Sequence, residues 1–337
     1  MAANMNDIWE GDFWGLTELT DAINIVPYVP GMADQMNIFQ KKAITTLTVS
    51  IEYKDGEVYL VPNTDRGSPG TPNQTPRRTG RPFSIMHNQL DDQVLADDVQ
   101  GIRAFGKSTE AETVQDKVNE KLEGMKQKLS ATQEWYRLGA LKGIILDSDG
   151  TTEIENLFTA FGITAPTQDF DFSSDATPVR EQCRTLKRTI LNAIGGYSMS
   201  SVGAFCSDSF FDQLTQNSTV NDTYKYFQDA RQMRENLAYE VFEFGGVTWV
   251  NYRGNVSDNA FVADDTAKAF PLGTNGLFGE YYGPADYTET VNTPGLQFYA
   301  KSEQMAMDKG KNIEAQSNPL MLCHRPSSLV ALTMTTT

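Results

Sequence analysis

The chain of 337 residues holds few side chains from which a reaction centre can be assembled. It has two histidines, His87 and His324, and three cysteines, Cys183, Cys206 and Cys323. The histidines are far apart and form no His-x-x-x-His pair, so a histidine-rich zinc site within one chain is unavailable. The cysteines are odd in number with no Cys-x-x-Cys spacing, which predicts buried thiols in a reducing compartment rather than a disulfide framework. Asp147-Ser148-Asp149-Gly150 has the residue types that open a calcium loop. Its glycine comes two places early, and Glu153 and Glu155 miss the closing position, so the run reads as a helix-ending turn. Gly273, Gly276 and Gly279 lack the dinucleotide spacing and the strand-before, helix-after context, and read as loop. There is no P-loop and no Gly-x-Ser-x-Gly. A Ser-His-Asp or Cys-His arrangement stays open, because its members meet only in the fold. Neither histidine lies in a motif, and His324, within LCHRP, reads as a structural residue near the chain end. Paired carboxylates identify nothing in a chain with 44 acidic residues. The expectation is a protein without catalytic residues, cofactor or metal.

Acids outnumber the 28 bases, giving a formal net charge of −16. A primary nucleic-acid binder needs a basic patch that releases counterions, so that class is excluded. The basic amphipathic face of a membrane-surface protein is also missing. No run approaches the roughly 18–20 apolar residues that span a bilayer. Residues 1–15, MAANMNDIWEGDFWG, have neither a basic start nor an apolar run, so no secretory signal is expected and the product is expected to be soluble and cytoplasmic when made. Hydrophobic residues at 39% and charged residues at 21% fit a globular chain. The length suits two domains and a sizeable core without staples.

The elements emerge from pattern. In residues 1–44 the apolar Trp9, Phe13, Trp14, Leu16 and Leu19 are irregularly spaced, and Pro27 and Pro30 break the run NIVPYVPGM. The segment reads as an arm that docks either on its own core or on a partner. Leu47, Val49, Ile51 and Tyr53 alternate onto one face of a strand; Asp55-Gly56 signals a hairpin turn, with Val58, Leu60 and Val61 after it. Residues 66–82, RGSPGTPNQTPRRTGRP, hold four prolines, three glycines and four arginines with no acid. Residues 91–98, DDQVLADD, hold four aspartates. Each run alone reads as a solvated loop. Together they suggest a basic loop on one subunit meeting an acidic surface on its neighbour.

The strongest helical signal covers about 107–143, where Val114, Val118, Leu122, Met125, Leu129 and Tyr136 fall on one face. Lys117, Lys121, Lys126, Lys128, Glu120 and Glu123 are assigned to the other faces. At ~1.5 Å per residue, such a helix is a rod of about 50 Å. The second half reads as mixed α/β. Thr177-Pro178 marks a helix start with proline at the first helical position, and Val179, Cys183, Leu186, Ile190 and Ile194 share a face until Gly195-Gly196. Residues 203–207, GAFCS, read as a short buried strand with Ser207 or Asp208 capping the next helix. A helix is expected over 221–237. YEVFEF and VTWVNY read as a hairpin turned by Gly245-Gly246.

Five segments carry a family resemblance: LGALKGIILDSDGT (138–151), GGVTWVNYRG (245–254), FVADDTAKAFPLGTNGLF (261–278), YYGPADYTETVNTPGLQFYAK (281–301) and IEAQSNPLMLCHRP (313–326). Together they resemble the major capsid proteins of lambda-like tailed phages, the lambda E protein family, over about two-thirds of the chain in order. The resemblance shows no clear signature before residue 45. The resemblance implies an α+β chain with the Hong Kong 97-type phage capsid fold. On that template, 1–44 is the N-terminal arm and 45–90 the extended hairpin loop. Residues 91–150 form the peripheral domain with its spine helix, 151–285 the axial domain, and 286–337 the return to the peripheral domain.

It further implies a major capsid protein that self-assembles into an icosahedral shell enclosing the phage genome. The partners implied are other copies of the chain in hexamers and pentamers, a portal protein, a scaffold protein, an optional decoration protein, and packaged double-stranded DNA bound without sequence specificity. The location implied is the virion capsid, assembled in the host cytoplasm, with no membrane. Arg66, Arg77, Arg78 and Arg81 are then candidates for charge-assisted contacts between subunits, and Trp9, Phe13 and Trp14 for buried anchors. An acidic inner wall would repel DNA. The competing expectations are another self-assembling shell protein, or an intracellular α/β enzyme or binding protein.

Overall fold

The computed structural model describes residues 14–25, 31–53, 79–99, 110–173, 178–195, 197–231, 240–253, 255–256, 259–260 and 262–336. Trp9, Phe13, Arg66, Arg77 and Arg78 lie outside them.

The largest sheet has six strands in the order Thr167–Asp171, Val330–Thr335, Thr266–Leu272, Ser201–Cys206, Val247–Asn251 and Glu240–Phe244. The central strand Ser201–Cys206 is buried along nearly its whole length, because neighbours cover both of its faces. Glu240–Phe244 and Val247–Asn251 pair antiparallel across Gly245 and Gly246, both at positive φ (65° and 81°). Two successive positive φ values define the turn that the glycine pair signals. Ser207 caps the helix Asp208–Gln216 by accepting the Phe210 amide at 3.3 Å, as expected. The next helix covers Ser218–Arg231; residues 232–237 of its expected span lie outside the described residues. The helix Val179–Ile194 buries the five residues that share its apolar face. Pro178 sits at its N-cap, one residue earlier than the first helical position expected for it. Under the helices, the Phe170 and Phe210 rings meet the Trp249 indole at 5.6 and 6.0 Å between centroids.

A second layer is the antiparallel sheet Tyr299–Gln304, Gly310–Ser317, Asn88–Leu95, with the 33-residue helix Glu110–Lys142 across it. Val118, Leu122, Met125 and Leu129 of the helix pack with Val94, Phe298, Ala300, Ile313 and Ala315. The expected stripe is therefore the buried face, although the side chain of Val114 lies outside the described residues. The helix departs from a one-stripe rod in its second half. Lys126, Gln133, Glu134 and Arg137 are buried as well, which corrects the placement of Lys126 on an exposed face. Other elements enclose the helix there, so periodicity no longer separates inside from outside.

Between the layers runs a third sheet, Gln40–Ala43, Phe278–Tyr282, Pro319–Cys323. Thr48–Tyr53 pairs antiparallel with Thr79–Ser84. The Asp55-Gly56 turn and the Val58–Val61 stretch expected after it lie outside the described residues. Val49 and Ile51 face the core, whereas Leu47, assigned to the same face, stands one residue before the strand and is exposed. Asp147–Gly150 forms a turn, as expected. The Asp149 carboxylate accepts the Thr151 and Thr152 amides, both at 2.9 Å, and the Thr152 hydroxyl at 2.6 Å. These donors hold its pKa well below the carboxylate range. All three cysteines are free and buried. Burial pushes the Cys183 and Cys323 thiols up to about 12, which leaves them unreactive.

Candidate assembly site and buried charge cluster

The arm helix Leu16–Ile25 docks on the outer strand Tyr299–Gln304, burying Leu19, Thr20 and Ile23. The Thr20 hydroxyl donates to the Ala300 carbonyl at 3.3 Å and accepts its amide at 3.2 Å. Asn24 donates to the Phe298 carbonyl at 3.1 Å, and Ser302 donates to the Trp14 carbonyl at 3.0 Å. These bonds occupy backbone groups that a sheet edge leaves open. The Trp14 ring is buried on its own chain, with the Lys311 ammonium 4.7 Å from its centroid. The buried Lys126 donates to the Asn24 carbonyl at 3.0 Å, in the last turn of the arm helix. A cation there complements the helix dipole. Of the three aromatic candidates, the described one is spent within its own subunit.

The loop arginines are not brought together among the described residues. Arg81 alone is described: its guanidinium lies 5.7 Å from the Phe161 ring centroid, and Phe161 also stacks on Phe83 at 5.9 Å. It braces the base of the loop against its own chain. Of the acidic run, Asp92 faces the long helix and pairs with Lys121 at 2.9 Å. Asp98 accepts the Leu95 amide at 3.0 Å, and Asp91 is exposed.

The most concentrated buried chemistry was not singled out from the sequence. Arg137 and Glu280 have fully buried side chains. The Arg137 Nε and an Nη donate to the two Glu280 oxygens at 3.1 and 2.7 Å, a bidentate fork. Arg137 also donates to Glu134 at 3.3 Å and lies 3.7 Å from Asp34. Asp34 in turn pairs with Lys41 at 3.0 Å. Glu134 accepts the Ala33 amide at 2.7 Å, and Tyr282 donates to Glu280. Gly31 makes room for this, since a Cβ there would meet the Glu134 side chain. Burial raises the Glu134 pKa against the pull of Ala33 and Arg137. Burial and the adjacent Glu280 push the Tyr282 phenol well up. The cluster ties the short helix Met32–Gln35, the strands Gln40–Ala43 and Phe278–Tyr282, and the long helix into one unit. Every carboxylate is held by a cation or an amide, so the arrangement is a structural clamp. The sequence holds two faint signals, Glu134 and Arg137 three apart and a lone carboxylate in the apolar stretch GLFGEYYG, but neither indicates that Arg137 and Glu280 meet.

His324 is structural, as its context suggested. Its Nε2 meets the Tyr281 hydroxyl at 3.0 Å. Burial, with Lys42 second, lowers its pKa to about 4.

Comparison with known proteins agrees with this architecture. The sequence profile of the phage major capsid protein E family matches residues 15–334. The major capsid protein of Pseudomonas phage KPP10 is 30% identical over 304 residues, 84% of this chain and 86% of that protein. The major capsid protein of Salmonella phage Felix O1 is 26% identical over 94% of this chain and 95% of that protein. The mature capsid subunit of bacteriophage PhiM1 superposes with a TM-score of 0.52 at 10% identity, covering 92% of this chain and 89% of that one. That likeness fixes the fold as Hong Kong 97-type. With the profile spanning nearly the whole chain, the protein belongs to the phage major capsid protein E family and is a structural protein of the tailed-phage head shell.

Proposed function

We propose that the chain self-assembles through hexamers and pentamers into the icosahedral shell around the phage genome, and that it has no enzymatic role. The observation that supports this most directly is the family match over residues 15–334, on a fold that carries an arm, a looped hairpin and a long helix. The partners proposed are a portal, a scaffold, an optional decoration protein and packaged double-stranded DNA. Assembly is proposed to take place in the host cytoplasm. The division into arm (1–44), extended loop (45–90), peripheral domain (91–150 and 286–337) and axial domain (151–285) is proposed on the same footing. Val330–Thr335 hydrogen-bonds within the six-stranded sheet whose other strands come from 151–285, which supports counting that strand with the axial domain.

Arg66, Arg77 and Arg78 are proposed to reach acidic surface on the next subunit, and Trp9 and Phe13 to anchor there. Arg81 and Trp14 serve as the fixed bases of loop and arm, because both contact their own chain. Charge contacts of this sort set register and association rate more than affinity. Size-exclusion chromatography with negative-stain electron microscopy of the void fraction tests the reading. Closed shells or capsomer rings are expected. A monomer or dimer that never enlarges, with or without scaffold, would refute it in favour of a binding protein or enzyme. Replacing Arg77 and Arg78 with glutamate is expected to block shell formation and leave a folded subunit.

A further inference from the structure

The helix Val179–Ile194 carries charge of the wrong sign for this chain. In a protein of net charge −16 it holds Arg180, Arg184, Lys187 and Arg188 against one acid, Glu181. The four cations recur at three- and four-residue spacing beside the buried face, so they form one stripe. None of them is in an ion pair among the described residues. Arg180 rests 5.4 Å from the Phe244 ring centroid. Leu191 stands four residues after Lys187 and seven after Arg184, on the same stripe, and is 46% exposed. A phosphate backbone gains nothing from a leucine, whereas a protein surface does.

The fold gives the stripe a complement. Cys183 lies against Gly245 and the Lys187 ammonium beside Gly246. The cations therefore sit at the end of the six-stranded sheet where the hairpin turns and Val247 pairs with Val202. At the opposite end Asn251 pairs with Cys206. There the exposed carboxylates Asp208, Asp212, Asp264 and Asp265 gather. The Asp265 amide is tied to Ser209 at 2.9 Å, and Arg253 pairs with Asp208 at 2.7 Å and lies within the field of Asp212, which leaves Asp264 and Asp265 as the other exposed acids of the patch. Opposite ends of one sheet cannot meet within a subunit. They meet when copies pack head to tail, the heterologous contact that closes into rings.

We infer that the Arg184–Arg188 stripe, with Leu191 beside it, docks on the Asp264–Asp265 end of the six-stranded sheet in a second copy of this chain. The inference rests on the shell reading above.

Charge exchange tests it on the full chain. Four proteins are compared by size-exclusion chromatography and negative-stain microscopy: the wild type, R184E/R188E, D264K/D265K, and the chain bearing all four changes. All changes are on side chains at the surface, and circular dichroism confirms the fold of each. The expected result is an assembled fraction reduced at least tenfold in either double variant and recovered in the fourfold one. Normal assembly of R184E/R188E overturns the inference, and if its particles hold less DNA the stripe serves the genome instead. Loss of assembly without recovery in a folded fourfold variant also overturns it. Failure of the wild type to assemble would instead refute the shell reading itself, which keeps the two failures apart.

Discussion

Glu280→Gln tests whether the buried clamp holds the subunit together. The substitution keeps the side-chain shape and one acceptor oxygen but removes the charge. Arg137 is fully buried and takes both Glu280 oxygens, at 3.1 and 2.7 Å. Glu134 at 3.3 Å and Asp34 at 3.7 Å remain beside it, and Lys41 already draws on Asp34. Stripping one partner from a buried ion pair costs about 3–5 kcal/mol, because the other charge stays behind. The surviving carboxylates place the expected loss near the lower end, about 3 kcal/mol. The assay is urea unfolding of the dissociated subunit monitored by far-ultraviolet circular dichroism. The midpoint should fall while the slope, which reports exposed surface, is unchanged. Replacing the pair together, as R137M/E280L, removes both charges and should cost less than E280Q alone. A loss below about 1 kcal/mol for E280Q, the range of an exposed pair, would refute the clamp. So would a double variant that is worse than the single.

His324 is neutral in the folded chain, with its pKa lowered from 6.5 to about 4. The unfolded chain therefore binds the extra proton between those values, so stability should fall as pH drops from about 6.5 to about 4, by at most about 3 kcal/mol. His324→Gln should flatten the stability slope over that window, measured by urea midpoints at each pH; an unchanged slope would remove His324 as its source. Trp14→Ala should cost about 3–5 kcal/mol of packing and expose the arm, read as faster proteolysis near Leu16 in the subunit; an unaltered digestion rate would show that the ring does not hold the arm. Gly31→Ala should destabilise the subunit by about 1–3 kcal/mol, because its Cβ meets Glu134. A thermal midpoint equal to the wild type would mean that the clamp relaxes freely.

Local patterns were the legible part of the sequence. The apolar face of Val179–Ile194, the Gly245-Gly246 hairpin, the Ser207 cap and the buried stripe of the long helix each rest on spacing or turn chemistry within one segment. The clamp was not legible, because Arg137 and Glu280 are 143 residues apart and only the fold makes them neighbours. Lys126 was misplaced for the same reason: the arm helix that covers it is 102 residues away. The pairing of Thr48–Tyr53 with Thr79–Ser84 spans a long connection, so no turn signal next to the strand points to it. Family resemblance supplied the overall architecture that these local patterns did not determine.

The strand Val330–Thr335 lies between Thr167–Asp171 and Thr266–Leu272. A nascent chain can pair Ser201–Cys206 with Val247–Asn251 and Thr266–Leu272 soon after each leaves the ribosome. It cannot seat Thr167–Asp171, whose partner among the described residues, Val330–Thr335, is made after every other strand of that sheet. Domains ordinarily fold as they emerge; this one must wait for its latest strand. Until then Thr266–Leu272 presents an open edge of the kind that invites aggregation. A polypeptide interrupted before residue 330 would lack its closing strand and be recognisable to quality control as unfinished, so synthesis itself would screen subunits before they enter a particle.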